Sequence, residues 1–135
     1  MPTVIPVLIY PDVREAVAWL TEAFGFEERL RIGEGHRSQM NVPGGGAVIA
    51  ADVRADRIPP DGRTTHSVLV RVEDASAHCE HARERGAEVV DPLTDHVYGE
   101  RQYTAVDPWG HVWTFSETLE DVDPASWGGE LKINS

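Results

Sequence analysis

Residues 98–116 read YGERQYTAVDPWGHVWTFS, and this stretch decides the fold. Arg101 to Val106 is β-rich, Asp107-Pro108-Trp109-Gly110 has turn chemistry, and His111 to Ser116 is β-rich again, so the segment is a hairpin. Trp113 and Phe115 lie two apart and therefore share one strand face, which predicts a core position for both rings.

Upstream of the hairpin, Ser67 to Val72 reads as a strand, and Asp74 follows as a helix N-cap. Ala75, His78, Cys79 and Ala82 form the apolar stripe of that helix, Gly86 stops it, and Glu88-Val89-Val90 begins another strand. The same order occurs earlier. Val4 to Tyr10 is β-rich, Asp12 and Glu15 make a capping box, and Val13, Ala16, Val17, Leu20 and Phe24 form a stripe that ends at Gly25. Extended segments follow at Glu27 to Ile32, His36 to Val42 and Ala47 to Asp52, broken by Gly33, Gly35 and the Pro43-Gly44-Gly45-Gly46 turn. Arg54 to Thr65 has no periodicity, contains Pro59, Pro60 and Gly62, and reads as a linker.

The chain is therefore two βαβββ modules in tandem: module one over 1–53, a linker over 54–65, module two over 66–118, and a tail over 119–135. The caps Asp12 and Asp74 are 62 residues apart, which pairs Leu8 with Val70 and Tyr10 with Val72. At the far end Ala47-Val48-Ile49-Ala50 matches His111-Val112-Trp113-Thr114 at an offset of 64. Matching caps and turns over about sixty residues indicate duplication.

The whole chain is 135 residues with a formal net charge of −11 and a single cysteine, Cys79. Such a surface repels phosphate backbones and anionic lipid, so neither nucleic acid nor a membrane is an expected partner. No apolar run approaches the ~18 residues of a membrane helix, and the N-terminus lacks a signal-peptide pattern. A cytoplasmic, reducing location is the expectation.

Tyr98-Gly99-Glu100-Arg101-Gln102-Tyr103, running into Asp107-Pro108-Trp109-Gly110-His111 and Val112-Trp113-Thr114-Phe115, resembles the closing hairpin of the vicinal oxygen chelate superfamily. That superfamily includes glyoxalase I, bleomycin-resistance proteins and extradiol dioxygenases. The first helix, ending Ala23-Phe24-Gly25-Phe26, is similar too. The resemblance implies an α+β fold in which two tandem βαβββ modules form an incompletely closed β-barrel cup, usually in a homodimer. It does not fix an activity, because the same cup hosts isomerases, dioxygenases and proteins that only bind a drug.

The resemblance also implies where a metal would sit: on the inner face of the first and last strands of each module. On the offsets above, those positions are Ile5, Ala50, Ser67 and Thr114, none a good ligand for a divalent ion. Shifting the register by one would substitute His66 for Ser67 but turn Val68, Val70 and Val72 into the cup. A divalent metal is disfavoured, and no cofactor is expected. His78 and His81 read as a helix flank, Cys79 as a small buried hydrophobe, and Gly44-Gly45-Gly46 as a hairpin turn rather than a phosphate loop.

If those four positions face inward, alternation brings Val7, Ile9, Val48, Leu69, Val112 and Ser116 with them. That surface is mostly apolar and suits a small organic ligand. Tyr98, Arg101, Tyr103 and Trp109 could reach the mouth, an aromatic stacking on a flat ligand and Arg101 meeting an anion; equally, Arg101 could pair with Glu100 or Asp107 to hold the hairpin. Trp127 would anchor the tail on its own module or on a dimer mate. The expected function is a metal-free binding protein that sequesters an apolar or aromatic ligand. The alternative is a metal-dependent glyoxalase-like lyase or dioxygenase with an atypical site including His66. Metal-free acid–base chemistry at Tyr98 or His66 is a third reading.

Overall fold

The computed structural model describes residues 1–133. Module one comprises β1 (Val7–Ile9), α1 (Val13–Phe24), β2 (Glu27–Ile32), β3 (Arg37–Asn41) and β4 (Ala47–Ala51). Module two repeats the order with β5 (Val68–Arg71), α2 (Ala75–Glu84), β6 (Glu88–Asp95), β7 (Glu100–Val106) and β8 (Val112–Thr118). A single 3-10 turn at Pro124–Trp127 lies in the tail.

Both helices start where a side chain can satisfy an orphan amide: Asp12 accepts from Glu15 N, and Asp74 from Ala77 N. α1 ends at Gly25 in the left-handed region, φ 78°, where its N–H caps the last turn. Each module forms a four-stranded mixed sheet, ordered β1-β4-β3-β2 and β5-β8-β7-β6, in which the first strand lies parallel to the fourth. The two sheets do not join, so no barrel closes.

Each sheet turns one face toward the helices. From module one come Leu8, Met40, Val48 and Ala50; from module two come Val70, Tyr103, Ala105, Trp113 and Phe115, and all belong to one continuous core with α1 and α2. Phe24 of α1 lies across the module boundary, its ring 5.4 Å from Trp113 and 4.7 Å from Phe115. The modules thus pack helix side to helix side. Their other faces, the outer faces, point away from that core and from each other.

Asp107, buried in the β7–β8 turn, ties the modules together. It accepts from the Tyr10 hydroxyl at 2.8 Å, from Trp113 Nε1 at 3.1 Å, and from the amides of Trp109 and His111, both at 3.0 Å. His111 Nε2 donates to the Ile9 carbonyl at 2.7 Å. Burial, reinforced by the neighbouring Asp107 carboxylate, holds the Tyr10 phenol well above its ordinary pKa.

The register corrects one expectation. Val7 pairs with Ile49 and Leu8 with Ala50, so Val48 and Ala50 lie on the helix side with Leu8, opposite Val7. The turns explain why. Val42 N bonds to Gly46 O and Gly45 N to Val42 O, just as Asp107 N bonds to His111 O and Gly110 N to Asp107 O. Pro43 therefore matches Pro108, an offset of 65, and an error of one residue exchanges the faces of a strand. The preferred register of β5 stands: Val68 and Val70 pack on the helix side, and Leu69 is on the other.

Candidate functional site on the outer sheet faces

On module one the outer face carries Val7 and Ile9 from β1, Ile49 between Ala47 and Ala51 on β4, Arg37 and Gln39 on β3, and Leu30 and Ile32 on β2. Val7, Leu30 and Ile32 are roughly half exposed, at 43%, 45% and 45%. The linker lies along this sheet's edge: Ile58 to Asp61 and Arg63 to His66 enclose, with Val7 to Ile9 and His111, a cavity of about 290 Å³. On β3 of this sheet, Arg37 Nε is buried without a hydrogen-bond partner among the described residues.

Module two presents a more polar surface. Its outer face carries Leu69 and Arg71 from β5, Val112, Thr114, Ser116 and Thr118 from β8, and Glu100, Gln102, Thr104 and Val106 from β7. Leu69 is 52% exposed. Thr104 and Thr114 share a hydrogen bond of 2.8 Å, Gln102 Nε2 donates to Ser116 Oγ at 3.0 Å, and Ser116 Oγ donates to Glu100 Oε1 at 2.8 Å. Arg71 also meets Glu100, and the Tyr98 hydroxyl donates to Gln102 Oε1 at 2.9 Å. Burial pushes the Glu100 carboxyl upward, but hydrogen bonds from Ser116, Thr118 and Arg71 outweigh it and hold the pKa below the ordinary value. The network is internally satisfied and rigid, so it can orient a ligand beside apolar surface.

Of the residues expected around a cup, Val7, Leu69 and Thr114 lie on outer faces, and Tyr98 joins them through Gln102. Ser67 and His66 are exposed just before β5, with His66 lining the smaller cavity. Tyr103 does not reach a mouth: it is 1% exposed, and its hydroxyl meets His78 Nδ1 in the core. Its position opposite Phe115 on the helix side dictates this. Trp109 packs against Tyr10 and Trp19 between the modules, with centroid distances of 5.3 and 6.1 Å. Arg101 pairs with neither Glu100 nor Asp107. It binds Asp95 through two hydrogen bonds of 2.6 and 3.1 Å across β6 and β7.

Ile49, Gln39, Gln102 and Glu100 were missed by sequence reasoning. Matching Pro43 to Pro108 would have brought Ile49 and Gln39 outward; nothing local marks Glu100, whose place depends on β7 pairing with β8. Trp127 lies 5.6 Å from the Tyr98 ring, so the tail folds onto its own module.

The donor chemistry does not fit a divalent ion. The outer residues of the parallel strand pairs are Val7 with Ile49, Ile9 with Ala51, Leu69 with Thr114 and Arg71 with Ser116, hydrocarbons, two hydroxyls and a guanidinium where imidazoles or carboxylates would be needed. Among the described residues no group of three or more His, Cys, Asp or Glu could hold a metal.

The family profile described as Glyoxalase/Bleomycin resistance protein/Dioxygenase superfamily matches residues 4–115. The chain belongs to this superfamily. TioX from Micromonospora sp. ML1 is 34% identical, with a TM-score of 0.70 over 85% of this chain and 97% of that one. A glyoxalase/bleomycin resistance protein/dioxygenase from Nocardioides is 25% identical, with a TM-score of 0.67 over 97% of this chain and 90% of that one. An uncharacterised protein of Mycobacterium tuberculosis is 26% identical over 132 residues, which cover 90% of this chain and 78% of the relative. As a superfamily member, the chain has the expected fold: two βαβββ modules whose sheets leave the barrel incompletely closed.

Proposed function

We propose that this superfamily member is a metal-free small-molecule-binding protein that acts as a homodimer in the cytoplasm. The observation that carries the reading is the set Val7, Ile49, Leu69 and Thr114 at the outer positions of the parallel strand pairs. Hydrocarbon there holds an apolar or aromatic ligand by buried area, at about 25 cal/mol per Å², and grips no ion.

The dimer follows from where the faces point. Within one chain the outer faces are turned away from each other, so a cup between a module-one face and a module-two face requires a second copy. Two copies then build two cups, each pairing the apolar face of one with the Thr114-Ser116-Gln102 face of its partner. This symmetry gives a closed assembly and covers Val7, Leu30, Ile32 and Leu69, which the single chain leaves exposed. Elemental analysis of protein purified without chelators tests the metal-free part: less than about 0.1 ion per chain is expected at sites lacking ligands. Stoichiometric nickel, zinc, iron or manganese would contradict it and favour a metal-dependent lyase or dioxygenase.

A further inference from the structure

A cleft of about 680 Å³ lies between the modules, and of the outer-face residues only Arg71, at the end of β5, borders it. It is bounded by the end of α1 (Ala23 to Phe26), the β3–β4 turn (Pro43, Gly44), the end of β5 with the start of α2 (Val70 to Asp74, Ala77), and the imidazoles of His78 and His81. Its volume falls in the range of small-molecule sites.

The duplication shows what shape this space is made for. The helix-cap offset of 62 pairs Val72 with Tyr10 and His81 with Trp19, and the turn offset of 65 pairs Gly44 with Trp109. The two helices support the pairing, since each reaches the end of the other. Trp19 Nε1 donates to Arg85 O at 2.8 Å, and His81 Nε2 donates to Glu22 O at 2.6 Å. On the Trp109 side the counterpart space is filled: Trp109 stands edge-on to both Tyr10 and Trp19. On the Gly44 side three aromatic side chains are replaced by glycine, valine and histidine, and the cleft is what remains.

We propose that this cleft is a second ligand site, distinct from the cup, for a planar aromatic molecule of about the size of a fused two-ring system. The ligand takes the place that the Trp109 indole occupies in the other half. Phe24 and Phe26 offer the apolar walls, and three of the four imidazole nitrogens are already engaged, both of His78 with Tyr103 and the Phe24 carbonyl, and Nε2 of His81 with the Glu22 carbonyl. Contact area and edge-to-face ring packing therefore supply the binding. At the rim Glu73 and Asp74 are exposed and form no ion pair among the described residues, while Arg71, which also lines the cleft, is paired with Glu100, so a neutral ring system is preferred over an anionic one.

The test is an NMR titration of the whole protein with indole, following the ring protons of His78 and His81. Saturable one-to-one binding that shifts both imidazoles is expected, with indole-3-acetate at least several-fold weaker. Val72→Tyr, which restores the counterpart of Tyr10, and Ala77→Phe, which fills the cleft from α2, should each weaken indole at least tenfold while thermal unfolding stays cooperative. Absence of saturable binding to the wild type, shifts confined to outer-face residues such as Thr114, or undiminished binding in a folded filled variant would overturn the proposal. Because wild-type shifts alone decide the location, the test survives misfolding of either variant. It is also independent of the cup.

Discussion

Asp107 accepts four hydrogen bonds, from the Tyr10 hydroxyl, the Trp113 indole N–H and the backbone amides of Trp109 and His111. Removing its carboxylate leaves the Tyr10 hydroxyl and Trp113 Nε1 buried without a partner. Asp107→Ala should therefore lose about 3 kcal/mol of stability or more, readable in denaturant unfolding; a loss below about 0.5 kcal/mol would show that the turn does not tie the modules. His78 carries a pH signature. Burial lowers its pKa below the 6.5 of a free imidazole, with the Phe24 carbonyl opposing and the charge of His81 assisting. Between 6.5 and the lower folded value the unfolded chain binds more protons, so this contribution to stability is complete above 6.5 and is lost as pH falls beneath it. Melting measured from about pH 7.5 down to about pH 5 should fall more steeply for the wild type than for His78→Gln. Parallel curves would assign the slope to other groups.

At the scale of elements, alternation makes opposite demands on adjacent residues of β5. Val70 faces the core and Leu69 the outside. Val70→Asp buries a charge and should cost about 3 kcal/mol or more, whereas Leu69→Asp leaves each chain folded; equal effects would mean the register is wrong. The tail makes a smaller contribution. Trp127 is 40% exposed where it meets Tyr98, so Trp127→Ala should lower stability by about 1 kcal/mol, measured by thermal melting, and no change would reduce the tail to a frayed end. Much of this level was legible in the sequence: Asp12, Asp74 and Gly25 mark helix ends by capping, and the core placement of Trp113 and Phe115 follows from alternation. What failed was tertiary. The offset at β4 came from residue similarity instead of from matching Pro43 to Pro108, and the turn hydrogen bonds reveal the extra residue that sends Val48 and Ala50 to the helix side. Tyr103 and Trp109 looked available because hydrophobic aromatics near a turn suit a ligand mouth and a module interface equally well. Arg101 found Asp95, only six residues back across the β6–β7 hairpin, because β6 runs on to Asp95, well past the Glu88-Val89-Val90 that its hydrophobicity marks.

Across the whole molecule, duplication yields two similar halves put to different uses. The helix sides meet within one chain and make the core, while the outer faces stay open, one largely apolar and the other threaded by the Glu100-Ser116-Gln102 network. The proposed cup unites them only across two copies. Cys79 is buried and burial raises its thiol pKa, which leaves engineered surface thiols as the reactive ones. The most direct measurement is therefore cross-linking of an equimolar mixture of Ile49→Cys and Leu69→Cys chains with a thiol reagent spanning about 10 Å, the distance between facing sheets. The expected result is a mixed dimer carrying one chain of each variant in clear excess over either self-pair. Chains that remain uncrosslinked, or self-pairs that predominate, would contradict a cup built from one face of each copy.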